Sequence, residues 1–177
     1  MTISHSCKQT HLLGGHCRSE VRLYVRLDSP VEHPKLRNDA GGKGHFGASR
    51  SGGTRAHKGI DIATTVDQKV FSPISGKITK IGWANATHRY VEVSGVTVLK
   101  DMNGKMYPGE DCTVRVMYIK PSVEKDKLIE KGALIGKADD LHRNKQYPKT
   151  VGQHVHVEIK VGDANINPDH IVAANGP

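Results

Sequence analysis

The chain has 177 residues, a length that suits one domain, and it is 36% hydrophobic and 25% charged. No stretch approaches the roughly 20 apolar residues of a membrane-spanning helix, so we expect no membrane span. The formal charge of +8 favours anionic partners. However, the Lys and Arg residues are dispersed and are not interleaved with aromatic residues, so we expect no nucleic acid among those partners.

The N-terminal 36 residues are predicted to form an extension that carries one strand, because apolar and polar residues alternate over 20–27. Cys7 and Cys17 lie in this extension near several histidines, but their spacing matches no standard zinc pattern. We therefore favour an arm without a second metal site. With Cys112 the cysteine count is three, so at least one thiol stays unpaired.

The apolar runs beyond the extension are short and rich in β-branched residues, and Gly, Pro and Asn separate them. This pattern is typical of antiparallel strands, and no long amphipathic helix is evident. The segment 123–134 is predicted to be loop and strand. Including the strand of the extension, we predict strands at residues 21–27, 74–81, 91–99, 114–119 and 155–161. The fold class is therefore mainly β, a curled antiparallel sheet or β-sandwich-like structure with few helices.

Two segments carry side chains of the types that bind zinc in hydrolases. His57 and Asp61 lie in the first, and His154 and His156 lie in the second. A catalytic zinc takes three His or carboxylate ligands and keeps a fourth position for water. Any three of these four groups can fill that shell, which leaves one for proton chemistry. Each motif is weak by itself in a chain with 11 histidines.

The spacing of these residues predicts their local geometry. His154 and His156 alternate in a β-branched stretch, so both point to one face of a strand with their Cα atoms about 6.5 Å apart. His57 and Asp61 would be about 13 Å apart in an extended strand, too far to share an ion. Gly59 and the β-branched residues after it argue against a helix. We therefore predict that His57 ends a loop, that the chain bends near Gly59, and that Asp61 lies on the next strand.

The surroundings of these motifs resemble the LytM/lysostaphin-type zinc metalloendopeptidases. The Gly-rich segment 39–50 and the segments 70–78 and 129–136 accompany the two motifs in that family's order and spacing. The resemblance covers roughly residues 37 to 171. It implies a LytM-type peptidase domain over 37–177, with a groove over the zinc.

The resemblance also assigns roles to individual residues. It implies that His57, Asp61 and His156 bind Zn²⁺ and that His154 assists catalysis. The family usually carries another active-site histidine before segment 129–136, but here Tyr118 takes its place. Residues 118–121 resemble leukocyte cell-derived chemotaxin, a secreted vertebrate relative that is not regarded as a peptidase. Because a tyrosine hydroxyl can donate to a developing oxyanion, we assign Tyr118 a catalytic role beside His154.

The function implied by the resemblance is hydrolysis of peptide bonds in bacterial peptidoglycan, at peptide stems and cross-links. We expect cleavage of D-alanyl cross-links rather than pentaglycine bridges. The positive charge then favours adhesion to anionic envelope polymers, and we expect a monomer. Two other classes stay open: a zinc-bearing binding or signalling module without turnover, and a wall-binding structural component of a phage tail or secretion particle.

The route to the substrate follows from the first residues of the chain. Residues 1–7 lack the basic and apolar regions of a secretory signal. We therefore expect synthesis in the cytoplasm without a signal peptide, and action on the cell wall or periplasm after lysis or delivery. A phage enzyme and an antibacterial effector of a secretion system both fit this expectation.

Several further residues have weaker signals. Glu158 shares the predicted strand face of His156 and is a candidate partner of its ring. Arg50 and Phe46 are candidates for lining the cleft. Four histidines have no matching partner in the sequence and are expected at the surface: His45, His88, His142 and His170.

Overall fold

The computed structural model describes residues 27–100, 106–169 and 172. The arm with Cys7 and Cys17, residues 21–26 of the first predicted strand, and His170 lie outside this part of the chain. Within it the chain forms two 3-10 turns, Ser51–Gly53 and Arg143–Lys145, and thirteen strands. The strands are β1 Asn38–Asp39, β2 Gly42–Lys43, β3 Ser49–Arg50, β4 Arg55–Ala56, β5 Ile60–Ala63, β6 Lys69–Phe71, β7 Gly76–Trp83, β8 Arg89–Lys100, β9 Met106–Pro121, β10 Leu128–Ile129, β11 Leu134–Ala138, β12 His154–Val161 and β13 Ala164–Ile166.

The mainly β prediction is confirmed, and four predicted strands fall within or overlap β7, β8, β9 and β12. Nine strands form one sheet in the order β10-β7-β8-β9-β11-β6, with β12 added beside β9 and β5 and β13 beside β12. The strand pairs in this sheet are antiparallel. The small pairs β1-β2 and β3-β4 lie outside it.

Strand β9 divides the sheet at Tyr118. Residues Cys112 to Met117 pair with β12, whereas Ile119 to Pro121 pair with β11. On its other side β9 pairs with β8. There Met117 lies opposite Tyr90 and Ile119 lies opposite Arg89, which leaves Tyr118 as the extra residue of a β-bulge. Its φ of 65° is the left-handed conformation that such irregularities accommodate. A bulge bends the strand and re-aims its side chain, so Tyr118 leaves the regular alternation of the sheet.

Strand β12 is buried on both faces. Side chains alternate along a strand, so Val155, Val157 and Ile159 point into the hydrophobic core. His154, His156 and Glu158 lie on the opposite face. The same strand therefore packs the core and presents polar groups on its other side.

The described part of the proposed N-terminal extension packs against the sheet. Leu27 and Val31 belong to the core. The carbonyl of Lys35 accepts a hydrogen bond from the amide of Ala63 at 2.8 Å. Residues 27–36 therefore contribute to the packing of the domain, and the boundary after residue 36 stays a prediction.

Two further observations bear on the sequence predictions. No helix in the described residues is long and apolar enough to cross a membrane. The thiol of Cys112 is free and buried in the core, and this burial raises its pKa to about 11. A buried thiol of this kind is inert.

Replacement of a core residue of β12 tests this architecture. Ile159 is fully buried, so Ile159→Ala is expected to lower the free energy of unfolding by about 2–5 kcal/mol. Leu128 is 85% exposed, and Leu128→Ala should change stability by less than about 0.5 kcal/mol. Urea denaturation followed by circular dichroism measures both. Equal effects of the two substitutions would contradict the central position of β12.

Candidate metal centre and catalytic groove

The bend before β5 places His57 and Asp61 as predicted. His57 lies in the loop between β4 and β5, the chain bends at Lys58 and Gly59, and Asp61 lies within β5. A Cβ atom on Gly59 would lie 2.1 Å from the carbonyl oxygen of Val157. Only glycine permits this close approach, which brings the loop against β12.

The register between β5 and β12 brings the two motifs together. Asp61 lies directly opposite His156. Asp61 Oδ1 is 3.1 Å from His57 Nε2 and 2.8 Å from His156 Nδ1, and the two nitrogens are 3.0 Å apart. Donor atoms around a tetrahedral zinc are about 3.4 Å apart, given bonds of about 2.1 Å. This buried triangle is therefore slightly contracted, but it has the size and donor types of a three-ligand zinc site.

The outer nitrogens of the two histidines have acceptors. His57 Nδ1 donates to the carbonyl of His45 at 2.9 Å, so the Nε2 lone pair of a neutral ring faces the triangle. His156 Nε2 donates to Glu158 Oε1 at 3.3 Å, which likewise turns the Nδ1 lone pair inward. Such partners orient metal-binding histidines. The contact predicted between Glu158 and His156 is thus present.

Three electron-rich atoms at this spacing require positive charge between them. Burial lowers the pKa of His156, but the carboxylates of Asp61 and Glu158 more than offset it, so that its pKa lies above the ordinary value. Burial raises the pKa of Asp61, but the close contacts with the His156 and His57 rings outweigh it and hold its pKa well below the usual range. An environment that favours imidazolium at His156 also favours a metal cation. The residues therefore fit Zn²⁺.

The second oxygen of Asp61 is held by two arginines. Oδ2 accepts a hydrogen bond from Arg37 Nη2 at 2.8 Å and from Arg50 Nη2 at 2.9 Å. Arg37 is buried and also pairs with Asp39. These contacts leave Oδ1 as the oxygen that faces the histidines. Arg50 lies at the groove as predicted, whereas the sequence analysis did not single out Arg37.

His154 lies beside the triangle without belonging to it. Its Nε2 is 3.8 Å from Asp61 Oδ1. Its Nδ1 donates to the carbonyl of Gly152 at 2.7 Å, so the Nε2 lone pair faces the groove. Burial lowers the pKa of His154 to about 4, although Asp61 opposes this shift. The ring is therefore neutral near pH 7, with an unprotonated Nε2.

Tyr118 completes this side of the groove. Its ring stands edge-on to His154, with the centroids 5.3 Å apart. Burial raises the pKa of Tyr118, which keeps the hydroxyl neutral. The hydroxyl oxygens of Tyr118 and Tyr147 are 2.8 Å apart. Tyr147 is the partner that sequence reasoning missed, since it is 29 positions away and on an irregular segment.

The prediction that His88 lies at the surface is wrong. His88 is fully buried, and its ring meets Tyr118 edge-on with a centroid distance of 5.8 Å. Its ring nitrogens lie 3.1 Å from Asn85 Oδ1 and 3.0 Å from the carbonyl of Asp140. Each ring nitrogen thus has an oxygen within hydrogen-bond distance, as is usual for buried polar atoms.

The described site residues line one open groove with a volume of about 310 Å³. The buried residues His57, Asp61 and His156 line it. Tyr118, Tyr147 and His154 form one part of the lining. Three arginines also line it: Arg37, Arg50 and Arg55.

Comparisons with known proteins place the fold. The profile of peptidase family M23 matches residues 55–168. No protein among the curated sequences matches the chain. Solved structures of similar fold include lysostaphin from Staphylococcus simulans, with a TM-score of 0.56 and 18% identity over 84% of this chain and 55% of that chain.

Two other solved structures extend the comparison. A zinc containing peptidase from Vibrio cholerae has a TM-score of 0.56 and 18% identity over 90% of this chain and 43% of its own. A chain of the SpoIIQ-SpoIIIAH pore forming complex has a TM-score of 0.54 and 19% identity over 83% of this chain and 90% of its own. The present chain spans about half the length of the two peptidases. At these sequence identities the comparison shows a similar fold and nothing further.

The close approach at Gly59 provides a test of how the site is assembled. Gly59→Ala is expected to lower the free energy of unfolding by about 3 kcal/mol, because the clash is with backbone that cannot rotate away. Gly162→Ala is the control, since a Cβ there meets no atom within 4 Å and only its φ of 56° is unfavourable. Its effect should stay near about 1 kcal/mol. If a urea titration shows a similar loss of stability for Gly59→Ala and Gly162→Ala, β12 can shift to accommodate a side chain at position 59.

Proposed function

Because the chain belongs to peptidase family M23, we propose that it is a zinc-dependent endopeptidase that hydrolyses peptide bonds in bacterial peptidoglycan. The predicted membership of the LytM/lysostaphin family is confirmed. The observation that carries the proposal is the triangle of donor atoms from His57, Asp61 and His156, with His154 and Tyr118 in the same groove. As the bond that is cleaved we propose the D-alanyl cross-link.

The three donors would hold one Zn²⁺. A bound zinc lowers the pKa of a coordinated water toward about 7 and polarises a carbonyl. Asp61 contributes one oxygen to this role because Arg37 and Arg50 hold the other. Glu158 and the carbonyl of His45 keep the two histidine rings oriented.

His154 is proposed to move the proton. Its Nδ1–H is committed to the carbonyl of Gly152, so Nε2 is the atom that accepts a proton from the attacking water. The same atom then returns the proton to the leaving amine. Because His154 keeps the same orientation in both steps, one fixed ring can serve as base and acid.

Tyr118 is proposed to donate to the oxyanion. When Tyr147 donates its hydroxyl proton to Tyr118, the proton of Tyr118 is free to point into the groove. A neutral hydroxyl with this proton can stabilise the tetrahedral intermediate. Tyr147 is then a positioning residue, because it acts on the substrate only through Tyr118.

A zinc-bearing binding module without turnover is the second candidate. Tyr118 stands where the family usually has a histidine, and its hydroxyl already has Tyr147 as a partner. Mass spectrometry of muropeptides after incubation with defined peptidoglycan separates the two candidates. New peptide fragments that vanish with a chelator and with His154→Ala support the endopeptidase, whereas binding of peptidoglycan without new fragments supports the module.

The metal assignment predicts different behaviour for neighbouring histidines. His57→Ala, Asp61→Ala and His156→Ala should each sharply lower the zinc content from about one ion per chain, because each removes a ligand. His154→Ala should retain the metal while hydrolysis falls by about 10²-fold or more. Elemental analysis of the purified variants measures this difference. Zinc loss in His154→Ala would mean that the two roles are exchanged.

Substitution of the two tyrosines tests the oxyanion role. Tyr118→Phe should leave the fold and zinc content unchanged but lower the turnover rate by about 10²-fold, because one oxyanion donor is lost. Tyr147→Phe should have a smaller effect, since Tyr118 keeps its own hydroxyl. Initial rates on a purified muropeptide give both values. If Tyr118→Phe turns over within about twofold of the parent, Tyr118 only packs against the groove.

A further inference from the structure

Among the arginines that line the groove, Arg55 is the one without a polar side-chain contact in the described part of the chain. Arg37 and Arg50 both bond to Asp61 Oδ2. Arg55 is exposed and forms no ion pair or side-chain hydrogen bond with any residue that the structure describes. Its guanidinium therefore keeps its full set of donors.

The position of Arg55 directs it toward the reacting groups. It begins β4 at the turn end of the short β3-β4 hairpin, where it pairs in register with Arg50, and His57 follows two residues later. Arg55 lines the same groove as Tyr118 and His154, so its charge acts on a ligand bound there.

The carboxylates of the groove cannot neutralise Arg55, because they already have partners. Asp61 binds Arg37 and Arg50 through one oxygen and faces the histidines with the other. Glu158 contacts His156, and it contacts Arg115 at 3.4 Å. A divalent cation would add to the positive charge. The groove thus has an excess of positive charge at Arg55, and an anionic group of the ligand is what would balance it.

We propose that Arg55 binds a free carboxylate of the substrate and thereby selects peptides in which that carboxylate lies a few bonds from the scissile amide. This inference rests on the proposed peptidase function and names its substrate class. A guanidinium suits the role because it binds a carboxylate through two parallel hydrogen bonds. Wall peptides offer two sources of this group, the C-terminal carboxylate and a carboxylate on a side chain.

Two matched pairs of synthetic peptides with the same scissile bond test the proposal. In one pair the C-terminus is a free acid or a primary amide, and in the other pair the side-chain carboxylate is free or amidated. Zinc-loaded parent protein should cleave the acid of at least one pair with a kcat/KM about 10- to 100-fold above that of its amide, the range of a charged hydrogen bond. The pair that shows the preference identifies the source of the carboxylate.

The variants Arg55→Gln and Lys58→Gln complete the test. Arg55→Gln should bring the acid-to-amide ratio close to one, with the change mainly in KM. Lys58→Gln removes the same charge from an exposed residue outside the groove lining and should keep the parent ratio. A parent ratio near one in both pairs would overturn the proposal, and so would an unchanged ratio in Arg55→Gln.

Binding measurements separate this inference from the proposed reaction. Calorimetric titration of His154→Ala with the same peptides measures the acid preference without turnover. If the parent cleaves nothing but His154→Ala binds the acid about 10-fold more tightly than the amide, the reaction is wrong and the role of Arg55 stands. If the parent cleaves both forms equally and the variant binds them equally, the reaction stands and the role of Arg55 is wrong.

Discussion

The buried carboxylate of Asp61 is the interaction on which the rest of the site depends. A buried charge must be paired, and Asp61 is paired on both oxygens. Oδ1 faces His57 and His156, whereas Oδ2 accepts from Arg37 and Arg50. Asp61 thereby links Arg37 before β1, the β3-β4 hairpin, the loop before β5 and strand β12. Loss of any one of these elements would leave a buried charge partly unpaired.

Packing and chemistry meet in β12, because successive residues of one strand serve opposite faces. Val155 and Val157 fill the core, whereas His154 and His156, which alternate with them, line the groove. A shift of one residue in the register would reverse both faces. The hydrophobic core therefore fixes the register, and the register fixes the distance from His156 to Asp61. In this way the stability of the sheet sets the precision of the donor triangle.

The sequence predicted the features that depend on local spacing. Alternation placed His154 and His156 on one face, and the incompatibility of both helix and strand with the segment from His57 to Asp61 predicted the bend near Gly59. The sequence could not predict Arg37, Tyr147 or His88 as parts of the site. Their roles depend on contacts across the fold, such as the 2.8 Å contact between the hydroxyls of Tyr118 and Tyr147. No periodicity encodes a pair of this kind.

The resemblance implies that Tyr118 stands in place of a histidine, and such an exchange changes how the proposed proton chemistry is divided. A second imidazole could share the base or acid role with His154, whereas a neutral tyrosine hydroxyl can only donate or accept a hydrogen bond without changing charge. Burial keeps Tyr118 in this neutral form. The bulge at Tyr118 nevertheless turns its ring toward His154, and Tyr147 provides the hydroxyl with a partner. In the proposed mechanism the group at position 118 is therefore limited to hydrogen bonding, and His154 alone would transfer the proton.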